Sequence, residues 1–326
     1  MDVAEALRSV VADALDHIPL RDLAPAARRL SARYRDDAGR GSASLTDMEA
    51  AAYVASRMPA TLGALQHVFR QVARVTPDFS PRRLLDVGSG PGTAIWAAAG
   101  TWTSIETAVA LEPEARMRAW GVRIEQALGG AVPDVDWRTG DARQAVLPRR
   151  GFDLVVAGYV MGEIREEGDR LNLAQRLWAT AGGLLILVEP GTPSGFQRLL
   201  GLRRHLLARG AHVAAPCPHD SACPLPENDW CHFAERIPRS RIHRVLKGGD
   251  APFEDEKFAY QAFTRDPVEH RPARILRHPE VRPGYVRLQL CAPNGLLKRT
   301  VSRRDGARYR GARKSAWGDP YADPEA

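Results

Sequence analysis

The sequence predicts an α/β protein built on a doubly wound, mainly parallel sheet. Two observations carry that prediction. From Pro81 onward, short apolar runs alternate with helical stretches, the order that puts helices on both faces of a parallel sheet. The first of those runs also leads into a glycine-rich turn, Asp86-Val87-Gly88-Ser89-Gly90-Pro91-Gly92-Thr93, which opens a helix. Length sets the scale: 326 residues, 44% of them apolar, suffice for two domains or one elaborated α/β domain.

The elements follow in chain order. Residues 1–80 are helical in pattern, with apolar residues three and four apart over Val3 to Leu15, Pro25 to Arg35 and Leu45 to Val75. Asp36 to Ser44 is polar and breaks this run, and Pro59 is expected to kink or interrupt the third segment. Strands are expected at Arg83–Val87, Ile105–Leu111, Val135–Arg138, Phe152–Gly158 and Leu184–Glu189. Helices are expected at Thr93–Ala99, Glu114–Leu128, Asp169–Thr180 and Ser194–Ala208. Phe258–Thr264 and Tyr285–Cys291 have strand character and are expected to form an antiparallel edge of the same sheet. Beyond Arg303 the chain is rich in Gly and Arg and is expected to be extended. The resulting division is a helical region 1–80, a cofactor-binding core 81–210, a cysteine-rich region 211–297 with closing strands, and a basic tail 298–326.

No apolar run approaches the roughly 18–20 residues that span a bilayer, so no membrane role is expected. The start, Met1-Asp2-Val3-Ala4-Glu5, has neither the basic region nor the apolar core of a secretory signal, and its acids argue against a transit peptide. The expected location is therefore the cytosol, where clustered cysteines lean towards metal binding or catalysis rather than disulfides. The net charge of +7 is unevenly spread. Lys298 to Lys314 holds eight basic residues and one acid, Asp305. Such a run is either a solvated tail or an arm that binds nucleic-acid phosphates by displacing their counterions.

The glycine-rich turn is the most specific signal in the N-terminal half. Its glycines permit a tight turn and close approach of a ligand to the backbone. The spacing G-x-G-x-G, with Asp86 two residues ahead, favours S-adenosylmethionine over a dinucleotide. The cofactor contacts expected are Asp86, Gly88, Ser89, Gly90, Gly92 and Thr93, with Glu112 at the end of the second strand placed to accept ribose hydroxyls. Asp141 follows the third strand, where it can meet an adenine amino group or serve as a plain loop acid. Tyr159 and Glu163, after the fourth strand, either border the pocket or pack and cap. The Asn- or Asp-Pro-Pro-aromatic signature of amino methyltransferases is absent there, and no cysteine nucleophile lies nearby. The catalytic residue is not identified.

The chain has four cysteines, Cys217, Cys223, Cys231 and Cys291. The first three fall in one Pro- and His-rich stretch. Their spacing lacks the paired knuckles of zinc ribbons. Irregular spacing suits an iron–sulfur cluster held by a long loop and a remote strand. His219 and His232 keep a mixed zinc site open, and four free cysteines or two disulfides remain the alternatives.

Several segments together resemble one family. They are Ala52-Tyr53-Val54-Ala55-Ser56-Arg57-Met58-Pro59, Leu85 to Trp96, the Cys-Pro-His-Asp…Cys-Pro-Leu…Asp-Trp-Cys-His-Phe block, and Ala312-Arg313-Lys314…Trp317-Gly318-Asp319. The chain resembles the methyltransferase-like small-ribosomal-subunit assembly proteins of bacteria and mitochondria over roughly residues 30 to 320. The resemblance implies a class I methyltransferase fold, Rossmann-like and doubly wound, and a small-subunit ribosomal RNA partner. It implies a [4Fe-4S] cluster on Cys217, Cys223, Cys231 and Cys291. The acidic start favours a bacterial, cytoplasmic member, expected to be monomeric when free.

Two readings follow. In one, the protein is an RNA-directed methyltransferase whose cluster folds an RNA-reading surface. Arg299, Arg303, Arg304, Arg308, Arg310, Arg313 and Lys314 then grip phosphates, and Trp317 is available for stacking. In the other, the same surface serves an assembly factor that transfers no methyl group. A small-molecule methyltransferase with a zinc-stabilised lid is the third class.

Overall fold

The computed structural model describes residues 3–35, 44–269 and 271–322. Four helices open the chain: α1 (Val3–Asp16), α2 (Leu20–Arg35), α3 (Asp47–Ser56) and α4 (Met58–Val75). The polar break expected over 36–44 lies, apart from Ser44, outside the described residues. Helix α3 starts on a capping box in which the Thr46 hydroxyl accepts the Glu49 N–H and the Glu49 carboxylate accepts the Thr46 N–H. The third segment is interrupted, as expected: it divides at Arg57 into α3 and α4, and Pro59 stands in the first turn of α4, where its missing N–H is not needed.

The core then alternates β1 (Arg83–Val87), α5 (Thr93–Ala99), β2 (Thr107–Leu111), α6 (Ala115–Leu128), β3 (Asp134–Arg138), β4 (Phe152–Gly158), α7 (Glu167–Thr180), β5 (Ala181–Pro190), α8 (Pro193–Leu207) and β6 (His212–Ala215). After the cysteine-bearing loop come β7 (Phe233–Pro238), α9 (Arg241–Lys247) and β8 (Phe253–Thr264). In space the strands run β3-β2-β1-β4-β5-β8-β6. The first five are parallel, while β8 enters antiparallel between β5 and β6. This order, with one late strand reversed near the edge, is that of the class I methyltransferase-like fold. Apolar residues of α4, α5 and α6 bury one face of the sheet, and those of α7 and α8 the other. Strands covered on both faces need apolar runs rather than alternation, and Leu154 to Ala157 and Leu184 to Val188 meet that need.

Strand β8 is longer than expected. Its second half pairs with β5 and β6, and its first half continues past Pro190 of β5 to pair with β7. The expected partner strand at Tyr285–Cys291 does not join this sheet. It forms β11 (Tyr285–Ala292) of a separate antiparallel sheet with β9 (Ala273–Ile275), β10 (Glu280–Arg282), β12 (Gly295–Ser302) and β13 (Pro320–Tyr321). The reason lies in the clear alternation of β11: Val286, Leu288 and Leu290 are buried, while Arg287 and Gln289 are exposed, a pattern for a sheet with one wet face. The segment beyond Arg303 is not extended. A short 3-10 turn, Arg303–Asp305, leads into helix α10 (Ala307–Lys314), whose Tyr309 and Ala312 cover the second sheet's core. Residue 298 lies inside β12, so the basic segment is continuous with this sheet.

Arg274 on β9 fastens the two sheets together. It is almost wholly buried, and its Nη1 donates to Gln71 Oε1 of α4 at 2.5 Å and to the Gly318 carbonyl at 2.8 Å. Its Nε reaches the Pro216 carbonyl, at the start of the cysteine loop, at 3.3 Å. One guanidinium thus ties the helical region, the loop and the C-terminal strand. Arg274→Met fills the space but strands those acceptors, and thermal or urea unfolding should show a loss of at least about 2 kcal/mol. A variant as stable as the parent would mean that the two sheets are joined elsewhere.

Candidate cofactor site and cysteine centre

The glycine-rich turn leaves β1 at the sheet's C-terminal edge, where open α/β sheets bind ligands. Gly88 and Gly92 both have positive φ, and neither has room for a side chain. A Cβ on Gly88 would lie 2.5 Å from a Val160 methyl, and one on Gly92 2.8 Å from the Trp96 ring. Gly90 differs: a Cβ there would meet nothing nearer than the Tyr53 hydroxyl at 3.9 Å, so its backbone borders open space. Ser89 and Thr93 are buried beside it, and the Thr93 hydroxyl has no partner among the described residues.

Two buried acids brace this turn. Asp86 accepts the backbone N–H groups of Ala94 and Ile95 at the start of α5, yet its Oδ2 is buried without a partner. Burial, and then the nearby Glu112 charge, push its carboxyl up to about 8. Glu112 accepts the Gly90 N–H and the Glu114 N–H, each at 2.8 Å, and burial raises its carboxyl as well. Both Glu112 oxygens keep a second lone pair for a ligand hydroxyl. Orphaned buried polar atoms beside an open glycine backbone are a donor set that fits a small cationic nucleoside. Asp141 is different. It lies in the loop after β3, and its carboxylate is held by the Arg143 guanidinium and backbone N–H, which keep it below the usual range.

Tyr159 follows β4 with a φ of 63°, a left-handed conformation unusual for a bulky residue. Its N–H donates to the Val188 carbonyl at 2.7 Å, and its hydroxyl donates to Glu256 Oε1 at 3.2 Å. Burial raises both groups. Nothing local in the chain marks Glu256, because β8 brings it here from far along the sequence. Glu189, fully buried at the end of β5, accepts the Gly162 N–H and pairs with Arg198 at 2.8 Å. Its signal was available, as an acid ending an apolar strand.

All four cysteines are free, and all four line one cavity. Cys217 follows β6, Cys223 sits in the loop, Cys231 precedes β7, and Cys291 comes from β11 of the second sheet. Gln261 Nε2 lies 3.6 Å from the Cys217 sulfur, and His219 Nε2 lies 3.6 Å from that of Cys291. Burial and the neighbouring sulfurs push the Cys291 thiol up to about 12 and that of Cys231 well above its ordinary value. Two nearly fully buried guanidiniums, Arg203 and Arg274, line the same cavity, and neither is paired with a carboxylate among the described residues. Arg203 donates to the His219 carbonyl at 2.9 Å, and its Nε has no partner. Even so, no three His, Cys, Asp or Glu side chains among the described residues are grouped so as to hold a metal ion. His232 is not on the cavity wall. It lies between the Trp230 and Trp317 rings, 5.2 and 4.7 Å away.

Of the basic residues, Arg303, Arg304, Arg308, Arg310, Arg313 and Lys314 are exposed, while Arg299 is half-buried on the face of β12 that also carries Leu297 and Val301. Arg299 is on β12, Arg303 and Arg304 are in the 3-10 turn, and Arg308, Arg310, Arg313 and Lys314 are on α10. Asp305, the acid in their midst, is occupied by the Ser302 N–H and hydroxyl. Trp317 is not free for stacking on both faces, since the His232 and His278 rings stand edge-on to it. A larger cavity of about 920 Å³ lies between α1, the α3–α4 junction and β7–α9, and holds none of the residues expected at the cofactor or metal sites.

Comparison with known proteins extends this picture. Residues 47–322 match the family described as mitochondrial small ribosomal subunit Rsm22. The chain is 32% identical over 298 residues to the human mitochondrial ribosome assembly protein METTL17, covering 84% of this chain and 63% of that one. It is 22% identical to the mitochondrial ribosome assembly protein RSM22 of Saccharomyces cerevisiae, covering 85% and 67%. Against the Rsm22-cox11 tandem protein 2 of Schizosaccharomyces pombe, 27% identity covers 90% of this chain and 45% of the relative. Among solved structures it is similar to magnesium protoporphyrin IX methyltransferase of Synechocystis with bound S-adenosylmethionine, at 16% identity and a TM-score of 0.42, covering 72% and 90%. These relatives correct the bacterial, cytoplasmic placement, because their names are those of mitochondrial proteins. Of the early acids, Glu5 is exposed on α1, whose Leu7 and Leu15 are buried, so its charge belongs to the solvated face of a packed helix. On the match over residues 47–322, the chain belongs to the Rsm22 family of mitochondrial small-ribosomal-subunit proteins.

Proposed function

We propose that this protein binds S-adenosylmethionine and acts in mitochondria on the assembling small ribosomal subunit, gripping its RNA with the basic face of α10 and β12. The observation that carries the reading is the way this face is mounted. Exposed cations whose one neighbouring acid is already bonded sit on the sheet that Cys291 and Arg274 fasten to the cofactor core. Such a face gains affinity from phosphates by counterion release. The names of the human and yeast relatives support the ribosomal partner. The chain spans 63% of the human protein and 45% of the fission-yeast one, so the partner and activity remain part of this proposal.

Asp86, Gly88, Ser89, Gly90, Gly92, Thr93 and Glu112 would hold the cofactor, with Tyr159 at its edge and Asp141 reaching the adenine only if it leaves Arg143. When bound, the sulfonium would supply a methyl group. Cys217, Cys223, Cys231 and Cys291 would hold a [4Fe-4S] cluster. Four separated thiols around one cavity suit a polynuclear core better than a single zinc ion, which needs each sulfur at about 2.3 Å. Arg203 and Arg274 would balance the negative charge of such a core. The second reading, assembly without methyl transfer, is favoured by one feature: Tyr159-Val160-Met161-Gly162 lacks the amino methyltransferase signature.

Three outcomes test this. With burial pushing the Asp86 carboxyl up to about 8, at pH 7 it should hold a proton that a cationic ligand expels. Calorimetry at pH 7 in buffers of different ionisation enthalpy should show proton release with S-adenosylmethionine, and no binding by Gly90→Arg. Binding without proton release would remove Asp86 from the site. Anaerobically purified protein should contain about four irons and four sulfides per chain, and Cys291→Ser should lose them together with unfolding midpoint; one zinc without sulfide would replace the cluster assignment. Arg303→Ala/Arg304→Ala should weaken binding of small-subunit RNA and reduce its salt slope by about two units. An unchanged slope would show that these residues do not touch phosphate.

A further inference from the structure

The edge of the main sheet opposite the glycine-rich turn carries a group of arginines that belongs to neither the cofactor site nor the cysteine centre. β4 begins at Phe152, β5 begins at Ala181, and the antiparallel β8 ends at Thr264, so all three strands reach this edge together. Arg149 and Arg150 lead into β4, and Arg265 follows β8. The ten residues of β5 set this edge about 30 Å from the cofactor end. Both segments dock on the same junction between α7 and β5. Arg150 donates its backbone N–H to the Ala179 carbonyl at 2.8 Å. Arg265 donates from Nη2 to the Trp178 and Ala181 carbonyls, the latter at 2.6 Å, and its guanidinium lies 3.6 Å from the centre of the Trp178 ring.

These cations are brought together without acids. Arg149 and Arg150 are exposed, and neither side chain has an ion pair or hydrogen bond among the described residues. Arg265 is half-buried, and its Nη1 has no acceptor among the described residues. Burial, and then the charges of Arg150 and Arg149, hold its guanidinium below the ordinary value. The acids of this edge are engaged elsewhere: Glu106 pairs with Arg82 at 2.6 Å, and Asp153 accepts the Arg82 and Arg83 N–H groups at 2.8 and 2.9 Å. Asp266, next in the chain, forms no ion pair with Arg265 among the described residues. Arg150 also has a φ of 48°, left-handed, in the tight turn whose Gly151 N–H donates to the Pro148 carbonyl at 3.3 Å. Glycine or asparagine takes that conformation at less cost. An exposed arginine there brings no packing to offset the strain, so what it supplies is its charge.

We propose that Arg149, Arg150 and Arg265 form a second phosphate-binding site, which holds the backbone of the RNA partner at the end of the core remote from the cofactor turn. The inference rests on the reading that the protein binds small-subunit RNA, and it adds a contact which that reading does not contain. A phosphodiester between the three guanidiniums relieves their mutual repulsion, and their planar forks match its oxygens. Arg265, held on the Trp178 ring and two carbonyls, is the fixed member; Arg149 and Arg150 reach outward from an exposed turn. Side chains so exposed meet a partner that lies across the surface, and a polyanion gains affinity there by releasing its counterions. The basic helix α10 belongs to the second sheet, which Arg274 ties to Pro216 at the opposite end of β6. Two cationic sites mounted from opposite ends of one sheet would hold two segments of RNA in a fixed relation.

Binding of the full chain to transcribed small-subunit ribosomal RNA, measured over a series of salt concentrations, tests it. Arg149→Ala/Arg150→Ala should bind about tenfold more weakly at moderate salt, with a salt slope smaller by about 1.5 to 2 units. Arg149→Lys/Arg150→Lys, which keeps both charges, should retain the parental slope. Combined with Arg303→Ala/Arg304→Ala, the losses of slope should add to about 3 to 4 units. An unchanged slope in Arg149→Ala/Arg150→Ala, with or without a loss of affinity, would overturn the second site, and the RNA reading stands if Arg303→Ala/Arg304→Ala still loses slope. A parent with no salt-dependent affinity for this RNA would overturn the RNA reading itself, and this inference with it.

Discussion

The architecture depends on how β8 satisfies three neighbours at once. A strand inserted antiparallel between β5 and β6 must supply backbone partners on both of its edges, or leave buried N–H and C=O groups unpaired. β8 does so over Phe258 to Thr264 and then runs on past the sheet to pair with β7. Everything distinctive about the protein hangs from that extension. The cysteine loop is the excursion between β6 and β8, Glu256 is carried on the overhanging half, and β7 sets Glu235 against His67 of α4 at 2.7 Å.

The second sheet is joined to this core through both polar and ring contacts, with Trp317 packed against the main hydrophobic core. Its own core is small, and the joint is made by Arg274, by the cavity shared between Cys291 and the loop cysteines, and by the rings of Trp317, His232 and Trp230. Buried guanidiniums without carboxylates are costly unless something negative stands near. Burial raises the thiols of Cys223, Cys231 and Cys291 around this cavity, so their sulfurs would supply that charge only as thiolates. At the glycine-rich turn the sign is reversed: buried Asp86 has an oxygen without a partner among the described residues, while Glu189 is paired with Arg198.

The basic surface depends on the joint between the sheets. Helix α10 has only Tyr309 and Ala312 to anchor it, so its place is set by β11 and β12 and, through Cys291 and Arg274, by the core. A cationic helix with so narrow an apolar stripe gains its order from the sheet below it. This ties the geometry of the basic side chains on α10 to the region around the four cysteines.

Much of this was legible in the sequence, and the division is physical. Alternating apolar runs and helices fixed the order β1 to α8, because each signal is local: a buried parallel strand must be continuously apolar, and a helix must repeat every three to four residues. The turn Asp86 to Thr93 was legible for the same reason, with Glu112 one strand away. Tertiary structure alone decided the rest. Phe258–Thr264 and Tyr285–Cys291 both read as strands, and the alternation of the second marks a sheet with one wet face, but which strands each pairs with is settled by partners far along the chain. Glu256, Arg203 and Arg274 gave no local signal, since a charge announces its burial only through what surrounds it. The sequence determined which elements form and which residues can bind; the fold decided which of them meet, because side chains more than a hundred residues apart are brought together only by packing.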